Sequence, residues 1–174
     1  MKKLLISLLL VTTFVGALAG NPMRVTSGNG SFLKESASAT ATFDWSQTQW
    51  DYTIPLTEQW GNEYNKLIKL GERAFIEGFN ENSKKLKIQD TDGQYRIQVS
   101  VTNVDKFYSA VSLSIVPGYK HKVWGKIVVV DVLTNAVICE IAFDELTGGR
   151  DFLVDDSFIR CMSDLGKAMA KIKS

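Results

Sequence analysis

The chain has 174 residues, with 20 basic and 19 acidic side chains for a formal charge of +1, and 45% of its residues are hydrophobic. A balance so close to neutral gives no field for nucleic acid, and this hydrophobic content with only three prolines excludes a disordered chain. Two cysteines and one histidine are too few for a zinc site built from soft ligands, and no other cofactor signature is present.

Residues 1–19 carry Lys2 and Lys3, the apolar run Leu4 to Val15, and Ala17-Leu18-Ala19 before Gly20. That three-part layout predicts a secretory signal peptide cleaved after Ala19. Its apolar core of about a dozen residues falls short of the roughly 20 that span a bilayer. No cysteine follows the cut, so the expected product is periplasmic or secreted without a lipid anchor. Loss of Lys2 and Lys3 leaves 18 basic against 19 acidic side chains, a charge of −1. Residues 20–35, with Asn21-Pro22 and Ser27-Gly28-Asn29-Gly30-Ser31, read as an extended leader. Residues 36–174 are expected to form a single α/β domain.

From Ala37 to Trp45 apolar and polar residues alternate, the period of a strand. Trp50, Tyr52 and Ile54 then alternate around Asp51 in a short extended segment. After Pro55, with Thr57 as a candidate cap, Trp60, Tyr64, Leu67, Ile68, Gly71, Phe75, Gly78 and Phe79 recur at helical spacing. One amphipathic helix over about 56–82 follows, with Gly71 and Gly78 expected where it approaches the sheet. Asp90-Thr91-Asp92-Gly93 reads as hairpin-turn chemistry. Beyond it Tyr95, Ile97, Val99 and Val101 alternate with polar residues, so that strand wets one face. A further strand is expected over Val111, Leu113 and Ile115. Next come Lys122 to Leu133 and Val137 to Phe143, joined by a tight turn at Thr134-Asn135. Lys122 to Leu133 is apolar on both faces, as a central strand or a homodimer contact would be. A last helix carries Phe158, Met162, Leu165, Met169 and Ile172 on one stripe. The expected fold class is α+β: a two-layer α/β sandwich with a mixed, largely antiparallel sheet and two long helices on one face.

This order, with Ile127-Val128-Val129-Val130-Asp131-Val132-Leu133-Thr134-Asn135-Ala136-Val137-Ile138 and the closing Leu165-Gly166-Lys167-Ala168, resembles a group of cell-envelope domains. The group includes the N-terminal domain of TolB and the periplasmic domain of CsgG, and the likeness covers about 37–171. Related domains usually have Thr-Gly in the hairpin turn and often a lipobox; this chain has Thr134-Asn135 and no lipobox. The resemblance implies a domain that scaffolds or adapts envelope assemblies, with no catalytic residues.

Among candidate sites, Trp50 and Tyr52 fall on one face of their segment and are the expected partner-binding surface for an envelope protein or a surface glycan. Cys139 and Cys161 point toward the same core. An oxidising compartment permits a disulfide that would close a loop of about 20 residues, worth roughly 3 kcal/mol; the alternative is two buried thiols. His121, in Gly118-Tyr119-Lys120-His121-Lys122, reads as a solvated loop histidine. Asp90 to Gly93 lacks the third ligand and closing glutamate of a calcium loop. Thr147-Gly148-Gly149-Arg150 could offer amides to an anion, but Asp151, Asp155 and Asp156 follow. The leading expectation is an exported, non-enzymatic binding domain, since no nucleophile elbow, phosphate loop, HExxH or dinucleotide fingerprint occurs. The runner-up is a small hydrolase in which His121 acts with acids among Asp144, Glu145, Asp151, Asp155 and Asp156.

Overall fold

The computed structural model describes residues 22–109, 118–149 and 153–172. The expected signal peptide over residues 1–19, the expected strand at Val111 to Ile115, and Arg150 and Asp151 lie outside these. Among the described residues no helix is long and apolar enough to cross a membrane.

The elements run β1 (Met23–Gly28), a 3-10 turn (Ser31–Lys34), β2 (Ser38–Asp44), β3 (Gln49–Trp50), β4 (Ile54–Pro55), α1 (Leu56–Trp60), α2 (Tyr64–Asn82), β5 (Lys87–Ile88), β6 (Tyr95–Ser109), β7 (Gly118–Asp131), β8 (Val137–Thr147) and α3 (Val154–Ala170). They build one sheet in the order β1-β8-β7-β6-β2-β5, with β3 also on β6 and β4 on β3. The pairs β1–β8, β8–β7, β7–β6 and β3–β4 are antiparallel, while β2 runs parallel to β5 and β6, and β3 to β6. The fold is therefore α+β with a mixed sheet, as the residue patterns predict.

Alternation explains the layering. On β6, Tyr95, Ile97, Val99 and Val101 are buried while Arg96, Gln98 and Ser100 are half-exposed and Thr102 is exposed. On β8 Cys139, Ile141 and Phe143 face the same core. α2 covers this face with Ile68, Phe75 and Phe79, and α3 with Phe158, Met162, Leu165 and Met169. Phe43 of β2 meets Phe75 edge-to-face at 5.4 Å. Each fully buried ring contributes about 2–3 kcal/mol by its removal from water.

Four expectations need correction. The segment read as a leader is part of the domain: β1 forms a sheet edge on β8, Met23 is buried, and Phe32 is buried against Tyr95 at 6.0 Å. Its glycines mask the pattern, because Gly28 takes φ +71 where a side chain would strike the Ile138 carbonyl. The helix expected from 56 is broken, because Gly61 at φ +47 ends α1, a 3-10 turn follows, and no side chain caps either piece. Asp90 to Gly93 makes no hairpin. It steps across the end of β2, whose two neighbours are β5 and β6, and Gly93 passes so close to the Ala39–Thr40 backbone that a Cβ would overlap it. Finally, Gly71 and Gly78 admit α3, not the sheet: a Cβ on Gly71 would meet the Phe158 ring, and one on Gly78 the Ser163 carbonyl at 2.3 Å. Gly166 of α3 reciprocates, since a Cβ there would lie 2.1 Å from the Phe75 carbonyl.

Candidate functional site

β3 is only two residues long, held beside Asn103 and Val104 of β6. Had the chain stayed extended, Trp50 and Tyr52 would share a face, as the sequence predicts. Instead Asp51 and Tyr52 take left-handed φ values of +48 and +56. The turn is fixed by four hydrogen bonds: Asp51 N–H donates to Val104 O at 3.0 Å, Tyr52 N–H to Asn103 Oδ1 at 2.8 Å, and Thr53 N–H and Oγ1–H both to Trp50 O, at 3.0 and 3.2 Å. Each such non-glycine residue stores about 1–3 kcal/mol. The result separates the two aromatics: Trp50 turns inward and is half-buried, whereas Tyr52 is 57% exposed. The expected shared face is thereby corrected, with Tyr52 alone on the surface.

On the outside, Tyr52 meets a residue not singled out from the sequence. Its ring packs edge-to-face on Trp124 at 5.3 Å. Trp124 lies where β7 slips register with both neighbours, between Val101 and Asn103 on one side and between Val123 and Gly125 within its pairing to β8. Such bulges re-aim side chains. The sequence signal was Gly125, which leaves room for the Ser100 carbonyl and the Phe143 ring. Burial raises the Tyr52 hydroxyl above its ordinary pKa, and the nearby Asp144, Glu145 and Asp105 carboxylates raise it further. The rim is thus an aromatic pair bordered by three acids. Lys122 reaches Glu145 at 3.3 Å, an outer pair of small energetic weight.

On the inside, Trp50 belongs to an aromatic cluster centred on Phe158. Trp50 lies 6.4 Å from Trp60 and 5.9 Å from His121, and Phe158 lies 4.8 Å from Trp60, 5.8 Å from His121 and 6.2 Å from Trp45. Lys106 Nζ sits 5.9 Å from the centre of the Trp50 ring. His121 is 1% exposed, which corrects the solvated-loop expectation. Residues 118–122 are strand, not turn, and alternation sends His121 into the core. Its Nδ1 is 2.7 Å from Ser157 Oγ in the first turn of α3. Burial lowers its pKa to about 4, and the Lys106 charge adds to the shift, so the ring is neutral at pH 7. Two atoms stay unsatisfied here among the described residues: His121 Nε2 and Asn103 Nδ2.

This geometry does not assemble the hydrolase arrangement. His121 bonds a serine, and both side chains are sealed from solvent, while Asp144, Glu145, Asp155 and Asp156 stand exposed. The would-be anion loop is already engaged, since Gly148 N–H donates to His121 O and Gly149 N–H to the Asp164 carboxylate. Among the described residues no three His, Cys, Asp or Glu side chains converge as metal ligands would. Cys139 and Cys161 are buried free thiols. They share a core but not a level in it. Cys161 Sγ donates to Leu146 O, seven residues along β8 from Cys139, which is on the order of 20 Å of strand and too far for a bridge. Burial pushes the Cys161 thiol up to about 12.

No protein-family model matches the chain, and no curated protein does. Among solved structures it is similar to a PelC dodecamer from Paraburkholderia phytofirmans, at 11% identity over 86% of this chain and 98% of that one, with a TM-score of 0.44. It is also similar to a neuraminyllactose-binding hemagglutinin homolog from Helicobacter pylori, at 9% identity over 77% and 82%, with a TM-score of 0.34.

Proposed function

We propose that the chain is an exported, non-enzymatic domain of the cell-envelope kind that binds a surface glycan at the Tyr52–Trp124 rim. The observation that carries this reading is the strained turn, which spends two left-handed non-glycine residues on holding one tyrosine ring outward against a tryptophan. The exposed Tyr52 ring, backed by the half-buried Trp124, offers an apolar face to the C–H side of a sugar ring. Asp105, Asp144 and Glu145 beside it can accept hydrogen bonds from sugar hydroxyls, charge-assisted and therefore strong. The signal-like N-terminus and the resemblance to TolB and CsgG domains support an envelope setting for this surface.

The test is calorimetric titration of the purified chain with cell-surface polysaccharide. Tyr52→Ala and Trp124→Ala are each expected to weaken binding by about tenfold or more, as central aromatic anchors do. Binding that both variants leave unchanged places the surface elsewhere.

A further inference from the structure

Exposed apolar side chains gather at two places outside the Tyr52–Trp124 rim. The first is the tip of the β7–β8 hairpin, where Val132, Leu133 and Val137 are 49%, 93% and 54% exposed and Ala136 is exposed beside them. Single apolar residues on a surface are ordinary, but three large ones on one turn form a patch. The tip is held in shape by its own hydrogen bonds: Asp131 Oδ1 accepts from the Thr134 N–H and hydroxyl, each at 2.8 Å, while Asp131 N–H donates to Ala136 O and Val132 N–H to Gln94 O, each at 2.9 Å. The second place is the exposed side of the first two turns of α2. There Asn65, Leu70 and the stems of Lys66 and Lys69 line an open hollow of about 520 Å³, an apolar surface of the kind that lysine stems provide beneath their charged heads.

These two places lie toward opposite ends of the molecule. The tip follows Asp131, which pairs with Tyr95 at the start of β6, whereas α2 begins with Tyr64 against Trp60, whose ring packs on Trp50 beside Val104. Tyr95 to Val104 is roughly 30 Å of strand.

We propose that the hairpin tip of one copy seats in the α2 hollow of a second copy, with Leu133 against Leu70 and Asp131 paired with Lys69. Charge selects this occupant. Lys66 already pairs with Glu63 at 2.8 Å, but Lys69 has no ion-pair partner among the described residues. At the base of the tip Asp131 and Glu35 both act on Tyr95, against Arg96 with its Nη2 3.5 Å from Asn135 Oδ1. Two acids and one cation match a lysine-lined hollow, whereas an anionic bilayer calls for a basic collar around the apolar tip. One tip and one hollow per copy make the contact head-to-tail, so assembly closes into a ring or extends as a filament. A knob of three side chains falls below the roughly 1,200 Å² that stable pairs bury, so assembly follows concentration. The proposal does not depend on the glycan reading of the rim.

Sedimentation velocity of the purified chain from micromolar to millimolar concentration tests it. Species larger than one copy that grow with concentration are expected; a single copy throughout overturns the proposal. Leu133→Asp and Leu70→Asp, each checked for its fold by circular dichroism and with serine as the milder replacement, are each expected to weaken assembly by about tenfold or more. Assembly that either variant leaves unchanged overturns the contact. Mixing the two decides its direction. Leu133→Asp keeps its hollow and Leu70→Asp keeps its tip, so together they are expected to form a particle of two copies that cannot extend, and its absence overturns tip-in-hollow docking. Lys69→Glu is expected to weaken assembly by about threefold, and no change overturns the charge match that selects a second copy.

Discussion

The seam between α2 and α3 and the Trp50–Thr53 turn were built by opposite rules. In the seam each level agrees: the residues that face the partner helix fall on the apolar stripe, and where the backbones come nearest they are glycines 71, 78 and 166. In the turn the levels conflict, since an aspartate and a tyrosine hold conformations suited to glycine, an aromatic ring faces water, and on the strands beside it Asn103 Nδ2 and His121 Nε2 are buried with no partner among the described residues. Local rules broken together at one place mark a region shaped by something other than stability. The comparison is most directly broken at Phe158, which touches both regions: it fills the space over Gly71 and anchors the rings beneath the turn. Phe158→Ala is expected to cost about 3–5 kcal/mol in urea unfolding. A cost under about 1 kcal/mol would mean that the two regions are not joined through this ring.

The next effect is acid sensitivity confined to the turn. The His121 pKa lies near 4 in the folded chain and near 6.5 when unfolded. Between those values the unfolded state binds the extra proton, so stability falls as pH drops from about 6.5 and the loss is complete near pH 4. The full loss is about 3 kcal/mol by linkage. In His121→Phe that acid limb should flatten in denaturation curves taken across the same range. A limb that persists in the variant assigns the acid sensitivity to carboxylates elsewhere.

How much of each region could be read in the sequence follows from the same contrast. The alternation of β2 and β6, the β7–β8 hairpin at Thr134-Asn135 and the stripe of α3 are set by period and turn chemistry within a dozen residues, and they stand. What escaped depends on contacts distant in the chain. The leader became β1 because β8 offered an edge, and the helical glycines served a helix ninety residues away rather than the sheet. His121 sits in a polar run and is buried only because β7 begins earlier than its apolar residues suggest. At the site, Tyr52 was legible as an aromatic without a core role, but not its separation from Trp50, since no local rule assigns positive φ to Asp-Tyr. Trp124 was hidden by a double register shift. The cysteines were rightly placed in one core, yet face periodicity carries no information about height along a strand.

A smaller perturbation sharpens the seam. A methyl at Gly166 would lie 2.1 Å from the Phe75 carbonyl, a backbone atom that cannot swing aside. Gly166→Ala is therefore expected to cost about 1–3 kcal/mol of overpacking, although alanine is the better helix former by about 1 kcal/mol. A gain in thermal stability instead would show that the helices can part without loss, and the seam would no longer contrast with the turn.

The smallest effect is the most informative about the turn itself. Asp51 at φ +48 is exposed, so replacing it with glycine removes little contact. A left-handed residue costs about 1–2 kcal/mol, and glycine gives back roughly 0.5–1 kcal/mol in backbone entropy. Asp51→Gly should thus stabilise the chain by about 0.5 kcal/mol. Gly61 is the contrasting case: its φ +47 is joined to ψ −122, outside the left-handed helical region, so Gly61→Ala should lose more than about 1 kcal/mol although open space surrounds it. If strain in the turn is what holds Tyr52 outward for a ligand, Asp51→Gly should also weaken polysaccharide binding, because a looser turn must be ordered on association. Higher stability with weaker binding would identify the strain as preorganisation. Higher stability with unchanged binding would instead leave the turn strained for a reason unconnected to the rim.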